Sequence, residues 1–308
     1  MQFMANVKTK YLIKIYTIFF IIYISYLLYD HEFQDNQWRK DFGETKVKQL
    51  ETYTPTAILL GGSNVVYSLS AELLSKKTNY SWFNLGLSSE AFNDKNYWNQ
   101  IEKSLPDSKR QAVEIVVYSS LNFLRDGYLA ERNSNDLDTW GNKPRSWVPN
   151  MSIAGRIRAF INQTKNPSAH QFAGQYSLPL AYGDFDFDKI NCPYDYPDGF
   201  GIETDTLLLN DWLLTQLNSM QALFPNARII ITIPSEYYGE SFNLNSYQAM
   251  LDNLSNIQNN SQIKFEIIVQ PKFKHKNMTC DMRQHGNEFG RSLRTTQLIK
   301  QLSRSEIS

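Results

Sequence analysis

The sequence predicts an α/β fold built on a parallel sheet of about five strands, preceded by one N-terminal transmembrane helix. Short apolar runs alternate with helical patterns along most of the chain. This order is typical of parallel sheets that are covered by helices on both faces. Because parallel crossovers are right-handed, the alternation favours a doubly wound topology.

The apolar stretch Tyr11–Tyr29 predicts the transmembrane helix, since roughly 20 residues cross a bilayer core. Lys8, Lys10 and Lys14 lie towards its N-terminal side, and acidic residues follow it. The positive-inside rule therefore keeps the N-terminus cytoplasmic and exports the rest of the chain. A cleaved signal peptide is the alternative, but no Ala-x-Ala cleavage site follows. We interpret residues 1–29 as the cytoplasmic tail and uncleaved anchor of a single-pass membrane protein.

The polar, charged segment 30–53 is interpreted as a juxtamembrane stalk, and 54–308 as an exported, periplasmic or extracytoplasmic domain. The predicted strands of this domain are Ala57–Leu60, Trp82–Leu87, Glu114–Ser119, Arg228–Ile233 and Lys264–Val269. The predicted helices are Val65–Lys77, Glu90–Ser104, Thr206–Phe224, Asn245–Asn260 and Asn287–Leu302. A Pro-rich insertion with few periodic apolar stretches interrupts the alternation at about 124–203.

Composition narrows the function classes. The 31 basic and 31 acidic residues give a formal net charge of zero, so we expect no nucleic acid as a partner. No pattern of histidines or cysteines has the spacing of zinc ligands, and no nucleotide-binding glycine motif is present. We therefore predict neither a metal nor a cofactor. Cys192 and Cys280 would be able to form a disulfide in an oxidising compartment, and two unpaired thiols are the alternative.

Four short motifs lie at or directly after the carboxyl ends of predicted strands, at the edge where doubly wound folds bind ligands. They are Gly61-Gly62-Ser63-Asn64, Asn84-Leu85-Gly86-Leu87, Ser120-Leu121-Asn122-Phe123 and Asp281…His285-Gly286-Asn287…Gly290. Taken singly, Ser63 is more simply explained as a helix cap, Gly86 as a loop glycine and Asn122 as a turn residue. Their order and shared placement favour one common site.

The residue types in these motifs predict acyl transfer. Ser63 supplies a hydroxyl nucleophile, and its amide lies where a helix begins. Gly86 offers a backbone amide and Asn122 a side-chain amide, which are the donors that an oxyanion hole needs. His285 follows the last strand and is the expected base. Asp281 would hold the histidine ring in the correct tautomer, which is the third role in a catalytic triad.

The segments GGSN, NLGL, SLNF and D…HGNEFG resemble the motifs of the SGNH (GDSL-like) hydrolase superfamily, in its membrane-anchored bacterial branch of envelope acyltransferases and esterases. The similarity extends over roughly residues 55–303, apart from the insertion. It implies a flavodoxin-like three-layer sandwich with Ser63 as nucleophile and His285 as base. It also implies an oxyanion hole formed by the amide of Ser63 with Gly86 and Asn122.

The chain departs from this superfamily at the expected aspartate. The superfamily places its aspartate three residues before the histidine, where this chain has Met282. Asp281 stands four residues before His285. Either the loop bulges by one residue to complete a Ser–His–Asp triad, or the enzyme works with a Ser–His dyad.

On this resemblance we expect O-acyl transfer, most simply of acetyl, to a cell-envelope polysaccharide, or hydrolysis of such an ester. The expected partners are an envelope glycan or other ester substrate and the membrane itself. A polytopic membrane protein that donates the acyl group is implied by the resemblance alone. The alternative is a non-catalytic module of the same fold that binds glycan or scaffolds a polysaccharide modification or export complex.

Overall fold

The computed structural model describes residues 14–23, 25, 41–87, 95–120, 179–187, 209–235, 237, 244–269, 272–280 and 285–305. Asn122, Asp281, Cys192 and most of the predicted insertion lie outside these residues. Within the predicted membrane span, residues 14–23 and 25 are described and are helical. A helix with the length and apolar character needed to cross a bilayer is not found among the described residues.

Five parallel strands form the sheet. They are β1 (Ala57–Gly61), β2 (Trp82–Asn84), β3 (Ile115–Ser119), β4 (Arg228–Thr232) and β5 (Phe265–Ile268). Their order is β2-β1-β3-β4-β5, as in flavodoxin-like doubly wound folds. The predicted α/β class with a five-stranded parallel sheet is thus confirmed. Gly61 pairs with Ser119 at the carboxyl ends of β1 and β3, where the strand order reverses.

Helices connect these strands. The bounds of those described are α1 (41–52), α2 (Ser63–Ser68), α3 (Ala71–Lys77), α4 (Lys95–Ser104), α5 (Asp107–Gln111), α6 (Leu209–Leu223), α7 (Leu244–Asn260) and α8 (Glu288–Ser305). Short 3₁₀ turns lie at Ala181–Gly183 and Lys276–Met278. Most predicted helices therefore appear within a few residues of their expected bounds.

Both faces of the sheet are buried, because successive side chains of a strand point to opposite sides. Ile58 and Leu60 of β1 lie in a large core that also contains Leu217 of α6. Leu59 points the other way, into a smaller core that contains Leu298 of α8. The sheet is consequently the middle layer, with helices packed on each side.

The helix predicted over Val65–Lys77 is divided in two. Leu69 is extended, with φ −128° and ψ 143°, and ends α2. The next residue, Ser70, then caps α3, because its hydroxyl accepts a hydrogen bond from the amide of Leu73 at 3.1 Å. The apolar spacing predicted one continuous helix, but Ser70 caps a second helix within it.

The second half of the predicted stalk differs from the prediction, since residues 41–52 form α1 and pack on the domain. Phe42, Val47 and Leu50 are buried in the larger core. This spacing places them along one side of a helix, and their burial outweighs the charged composition of the segment. Lys46 lies among them and is also fully buried.

One part of the predicted insertion belongs to the domain core. In the segment 179–187, Phe185 is fully buried and its ring lies 4.7 Å from that of Tyr67. The carboxylate of Asp184 accepts hydrogen bonds from the amides of Ala71 and Glu72, each at 2.9 Å. This segment therefore supplies an acidic group to the start of α3, where a negative charge is favourable.

Candidate active site

Ser63 is held at the carboxyl edge of the sheet by a tight turn after β1. Gly61 has a φ of +144°, and a Cβ there would lie 1.8 Å from the carbonyl oxygen of Ser119. Only glycine fits this position without strain. Gly62 is the N-cap of α2, so Ser63 is the first helical residue rather than the cap. Its hydroxyl is therefore not used in capping the helix.

The hydroxyl of Ser63 meets the imidazole of His285 instead. Its Oγ lies 2.8 Å from Nε2 of His285, across 222 residues of sequence. The structure thus brings together the two residues that the sequence analysis assigned as nucleophile and base. At this distance a hydroxyl proton is within reach of the ring nitrogen.

His285 itself is held on several sides, and only 5% of its surface is exposed. Its carbonyl accepts a hydrogen bond from the amide of Cys280 at 2.7 Å. The following amide, that of Gly286, donates to Oγ of Ser68 at 2.8 Å. The ring of Tyr67 lies 4.4 Å from the imidazole, at an angle of 34°. These contacts fix the backbone and limit the rotation of the ring.

The cysteine beside the histidine loop is oxidised. Cys280 is disulfide-bonded and fully buried. The only other cysteine of the chain is Cys192, which lies outside the described residues. A disulfide at Cys280 constrains the residue whose amide binds the carbonyl of His285.

The Gly86 loop lies beside the start of α2. The amide of Leu87 donates to the carbonyl of Gly61 at 2.9 Å. A Cβ on Gly86 would lie 2.9 Å from Cγ1 of Val65, so the backbone approaches α2 closely. The amide of Gly86 donates to Oδ1 of Asn84 at 2.9 Å. An oxyanion bound here would have to share the Gly86 amide proton with Asn84 Oδ1 or replace that oxygen as its acceptor.

Two further predicted site residues, Asn122 and Asp281, lie outside the described residues. Both flank described ones. Ser120, the first residue of the Asn122 motif, is buried, and Cys280 directly precedes Asp281. Their assigned roles as oxyanion donor and third member of a triad remain predictions.

Sequence reasoning missed the polar network that supports the Gly86 loop. Nδ2 of Asn84 donates to the carbonyl of Leu69 and to Asp184, each at 3.2 Å. Nζ of Lys46 donates to the carbonyl of Gly86 at 2.7 Å. The position of Asn84 at the end of β2 was the available signal for its role. No local pattern identified Lys46 or Asp184.

A second missed network lies under Ser63 and centres on Arg294 of α8. Its guanidinium donates to the carbonyl of Asn64 at 3.0 Å and to Oγ of Ser119 at 2.9 Å. Asn64 is in the same four-residue motif as Ser63, so its backbone was expected near the site. The arginine was not expected there, because it lies on α8 beyond Gly290, the last residue of the motif.

Burial shifts the titration of two cations in these networks. Desolvation lowers the pKa of Lys46 from 10.5 to about 7, and the charge of Asp184 partly opposes this shift. Desolvation also lowers the pKa of Arg294 to about 9. Within the described ranges, no group of three or more His, Cys, Asp or Glu residues is placed to hold a metal ion.

Comparison with known proteins gives a distant likeness among solved structures. No protein-family model matches the chain, and no curated protein sequence matches it. Among solved structures, the chain is similar to an acetyl xylan esterase from the rumen bacterium Butyrivibrio proteoclasticus. The TM-score is 0.39 and the identity 9%, over 82% of this chain and 64% of the esterase. The chain thus spans less than two thirds of that protein's length.

Proposed function

We propose that this chain is a serine-dependent enzyme that transfers or hydrolyses O-acyl esters through an acyl-Ser63 intermediate. One observation carries the proposal, namely the 2.8 Å approach of Ser63 Oγ to His285 Nε2. The pair lies at the carboxyl edge of a doubly wound sheet, which is where such folds bind ligands. A hydroxyl hydrogen-bonded to a buried imidazole is the arrangement that activates a serine nucleophile.

In the proposed reaction, Ser63 Oγ attacks the carbonyl carbon of the ester while its proton passes to His285 Nε2. The resulting tetrahedral intermediate carries its negative charge on the former carbonyl oxygen. Collapse breaks the bond to the leaving oxygen, which takes the proton from His285. Water or a sugar hydroxyl then attacks the acyl-Ser63 ester, with His285 accepting and returning one proton in the same way.

We assign the stabilisation of the oxyanion to the amide of Ser63, the amide of Gly86 and the side chain of Asn122. The Ser63 amide is at the first position of α2, where backbone donors have no partner within the helix. The Gly86 amide is positioned by its neighbours but donates to Asn84 Oδ1 in this structure. We propose that this hydrogen bond is shared with, or replaced by, the oxyanion of the intermediate.

We further propose that the acyl group is acetyl and that the acceptor is an envelope polysaccharide. In this proposal the N-terminal segment anchors the enzyme with its catalytic domain outside the cytoplasm. The large apolar side chains between Ile15 and Tyr23 are exposed, as expected of residues that face lipid. A polytopic membrane partner would then deliver the acyl group from the cytoplasmic side.

A second candidate function is a non-catalytic module that binds glycan or scaffolds a polysaccharide modification complex. The hydrogen bond from Gly86 to Asn84 favours this alternative, because it occupies a donor that catalysis requires. The Ser63–His285 contact would then be only structural. The two candidates differ in whether Ser63 is nucleophilic, which is directly measurable.

The decisive experiment is labelling of the full-length chain in detergent with a fluorophosphonate probe, together with hydrolysis of 4-nitrophenyl acetate. We expect labelling at Ser63 and measurable release of nitrophenol. Ser63→Ala should abolish labelling and lower kcat/KM by about 1,000-fold or more, and His285→Ala should cause a comparable loss. Both losses follow because each residue takes part in the same proton transfer.

Ser108→Ala is the matched control. Ser108 is exposed at the start of α5, before β3, and so lies away from the carboxyl edge of the sheet. This variant should keep the labelling and turnover of the wild type. A wild-type chain that is folded but unlabelled, with the same residual hydrolysis as Ser63→Ala, would replace the enzyme with the non-catalytic module.

A further inference from the structure

Arg294 is a buried cation with an unusual set of partners. It lies on α8 and is fully inaccessible to solvent. Its guanidinium donates to the carbonyl of Asn64 at 3.0 Å, to Ser119 Oγ at 2.9 Å and to Thr232 Oγ1 at 3.2 Å. All three acceptors are neutral oxygens. Among the described residues, Arg294 has neither an ion-pair partner nor a hydrogen-bond partner for its Nε.

A buried site with only neutral acceptors destabilises the folded state when it holds a guanidinium, so its retention suggests a functional role. Taking an ion out of water costs free energy that neutral acceptors offset only in part, and an apolar side chain of similar volume would avoid this cost. Burial lowers the pKa of Arg294 to about 9, which still leaves the group protonated at neutral pH. A full positive charge is therefore present at the carboxyl ends of β3 and β4, without a described counter-ion.

The contacts of Arg294 lead to the nucleophile by two routes. The first is direct, since Nη1 binds the carbonyl of Asn64, the residue after Ser63. The second passes through Ser119, whose Oγ accepts both from Arg294 Nη2 and from Asn64 Nδ2, the latter at 2.8 Å. The contact with Thr232 belongs to neither route. Arg294 thus holds both the backbone and the side chain of Asn64.

We propose that Arg294 is a positioning residue that fixes the start of α2 for attack by Ser63 and supplies positive charge beneath the forming oxyanion. The inference rests on the proposed function. The guanidinium does not touch the substrate, and no bond to it forms or breaks. It acts through Asn64, by keeping Ser63 Oγ in line with His285. Its charge favours the negative tetrahedral intermediate over the neutral ester, which is an effect confined to the transition state.

The first test compares Arg294→Met, which removes the charge, with Arg294→Lys, which keeps the charge but loses the forked geometry. Direct oxyanion donors contribute about 100-fold to 1,000-fold to kcat, so an indirect charge should contribute less. We expect kcat of full-length Arg294→Met to fall about 10-fold to 100-fold, with KM within about twofold of the wild type. Arg294→Lys should recover part of the loss. A merely structural role would not separate kcat from KM in this way.

The second test uses two hydroxyls that both accept from Arg294 Nη2. Ser119→Ala removes the route to Asn64, whereas Thr232→Val removes a contact on the far side. Each variant deletes one buried hydroxyl, so both should lower the melting temperature. We expect Ser119→Ala to lower kcat about tenfold, and Thr232→Val to retain at least several times more activity than Ser119→Ala. Circular dichroism and melting curves establish that each variant is folded.

The outcomes distinguish this inference from the proposed function. A wild-type chain without labelling or hydrolysis removes both. A labelled wild type together with a folded Arg294→Met that retains full kcat overturns the role of Arg294 and leaves the enzyme intact. Should Arg294→Met fail to fold, the hydroxyl pair decides, and equal kcat in Ser119→Ala and Thr232→Val refutes the inference.

Discussion

Lys46 makes the stability of this domain depend on pH in the direction opposite to that of a lysine whose pKa is raised by an acidic partner. Its ammonium group is fully buried, 2.7 Å from the carbonyl oxygen of Gly86 and 4.7 Å from the centre of the Phe42 ring. Desolvation lowers its pKa to about 7, against 10.5 in a solvated chain. Burial therefore destabilises the charged form, and the folded state releases the proton more readily than the unfolded state.

The direction of the effect follows from proton binding. Between pH 7 and pH 10.5 the unfolded chain keeps the Lys46 proton while the folded chain loses it, so the free energy of unfolding rises with pH. Below pH 7 both states are protonated and the full penalty of about 5 kcal/mol is present. Raising the pH from 7 to 9 should therefore relieve about 2 kcal/mol of this penalty.

The assay is equilibrium urea unfolding of the full-length chain at pH 7 and pH 9, for the wild type, Lys46→Met and Lys48→Met. Other titrating groups contribute equally to all three, so differences between the variants isolate one lysine. Lys48 lies on the same helix and is exposed, which makes it the matched control. The wild type and Lys48→Met should gain about 2 kcal/mol between the two pH values relative to Lys46→Met.

The reasoning about Lys46 would be refuted by equal pH dependence in the wild type and Lys46→Met. That result would mean that Lys46 keeps the same proton affinity in both states, and therefore that α1 does not bury its ammonium group. It would also remove the contact between Lys46 and the Gly86 carbonyl as a support for the Gly86 loop. Loss of the pH dependence in Lys48→Met instead would mean that α1 packs on the domain through the face that carries Lys48, rather than the face that carries Lys46.

Three further predictions concern the turn, the cap and the triad. Gly61→Ala should destabilise the domain by about 3 kcal/mol in urea unfolding, because its Cβ would overlap the carbonyl of Ser119 at a φ that L-residues avoid. Asp184→Asn should cost about 2 kcal/mol in the same assay, since it removes a buried carboxylate that accepts from two amides of α3; an unchanged midpoint would contradict this. Asp281→Ala should lower kcat about 1,000-fold or more if the residue completes a triad, whereas a loss below about tenfold would indicate a Ser–His dyad.

The sheet was predictable because its signals are local. Each strand is a short apolar run that ends at a glycine, proline or polar residue, and its bounds were recovered to within a few residues. The strand Arg228–Ile233 predicted from the sequence is Arg228–Thr232 in the structure, for example. The placement of Ser63 beside His285 followed from topology alone, since parallel strands present their carboxyl ends at one edge.

Charge misled the interpretation of α1. The many Lys and Glu residues of segment 30–53 suggested a solvent-exposed stalk. However, Phe42, Val47 and Leu50 have a helical spacing within it and are buried. A pattern search restricted to 41–52 would have found the stripe. It would still have placed Lys46 in solvent, because a buried lysine is explained only by its partner, the carbonyl of Gly86 40 residues away.

The same distance in sequence explains why the supporting residues of the candidate site were missed, while the contact between Ser63 and His285 was expected. Ser63 and His285 belong to motifs that chemistry makes recognisable. Asp184 and Arg294 belong to no such motif. Their partners are distant in sequence, since Asp184 binds an amide of α3 113 residues away and Arg294 binds Asn64 230 residues away. A buried polar group must find a partner in the fold. Such residues are therefore identified from the structure by asking which buried charges have a partner. Arg294 stands out among them, because its acceptors are neutral and no counter-ion lies among the described residues.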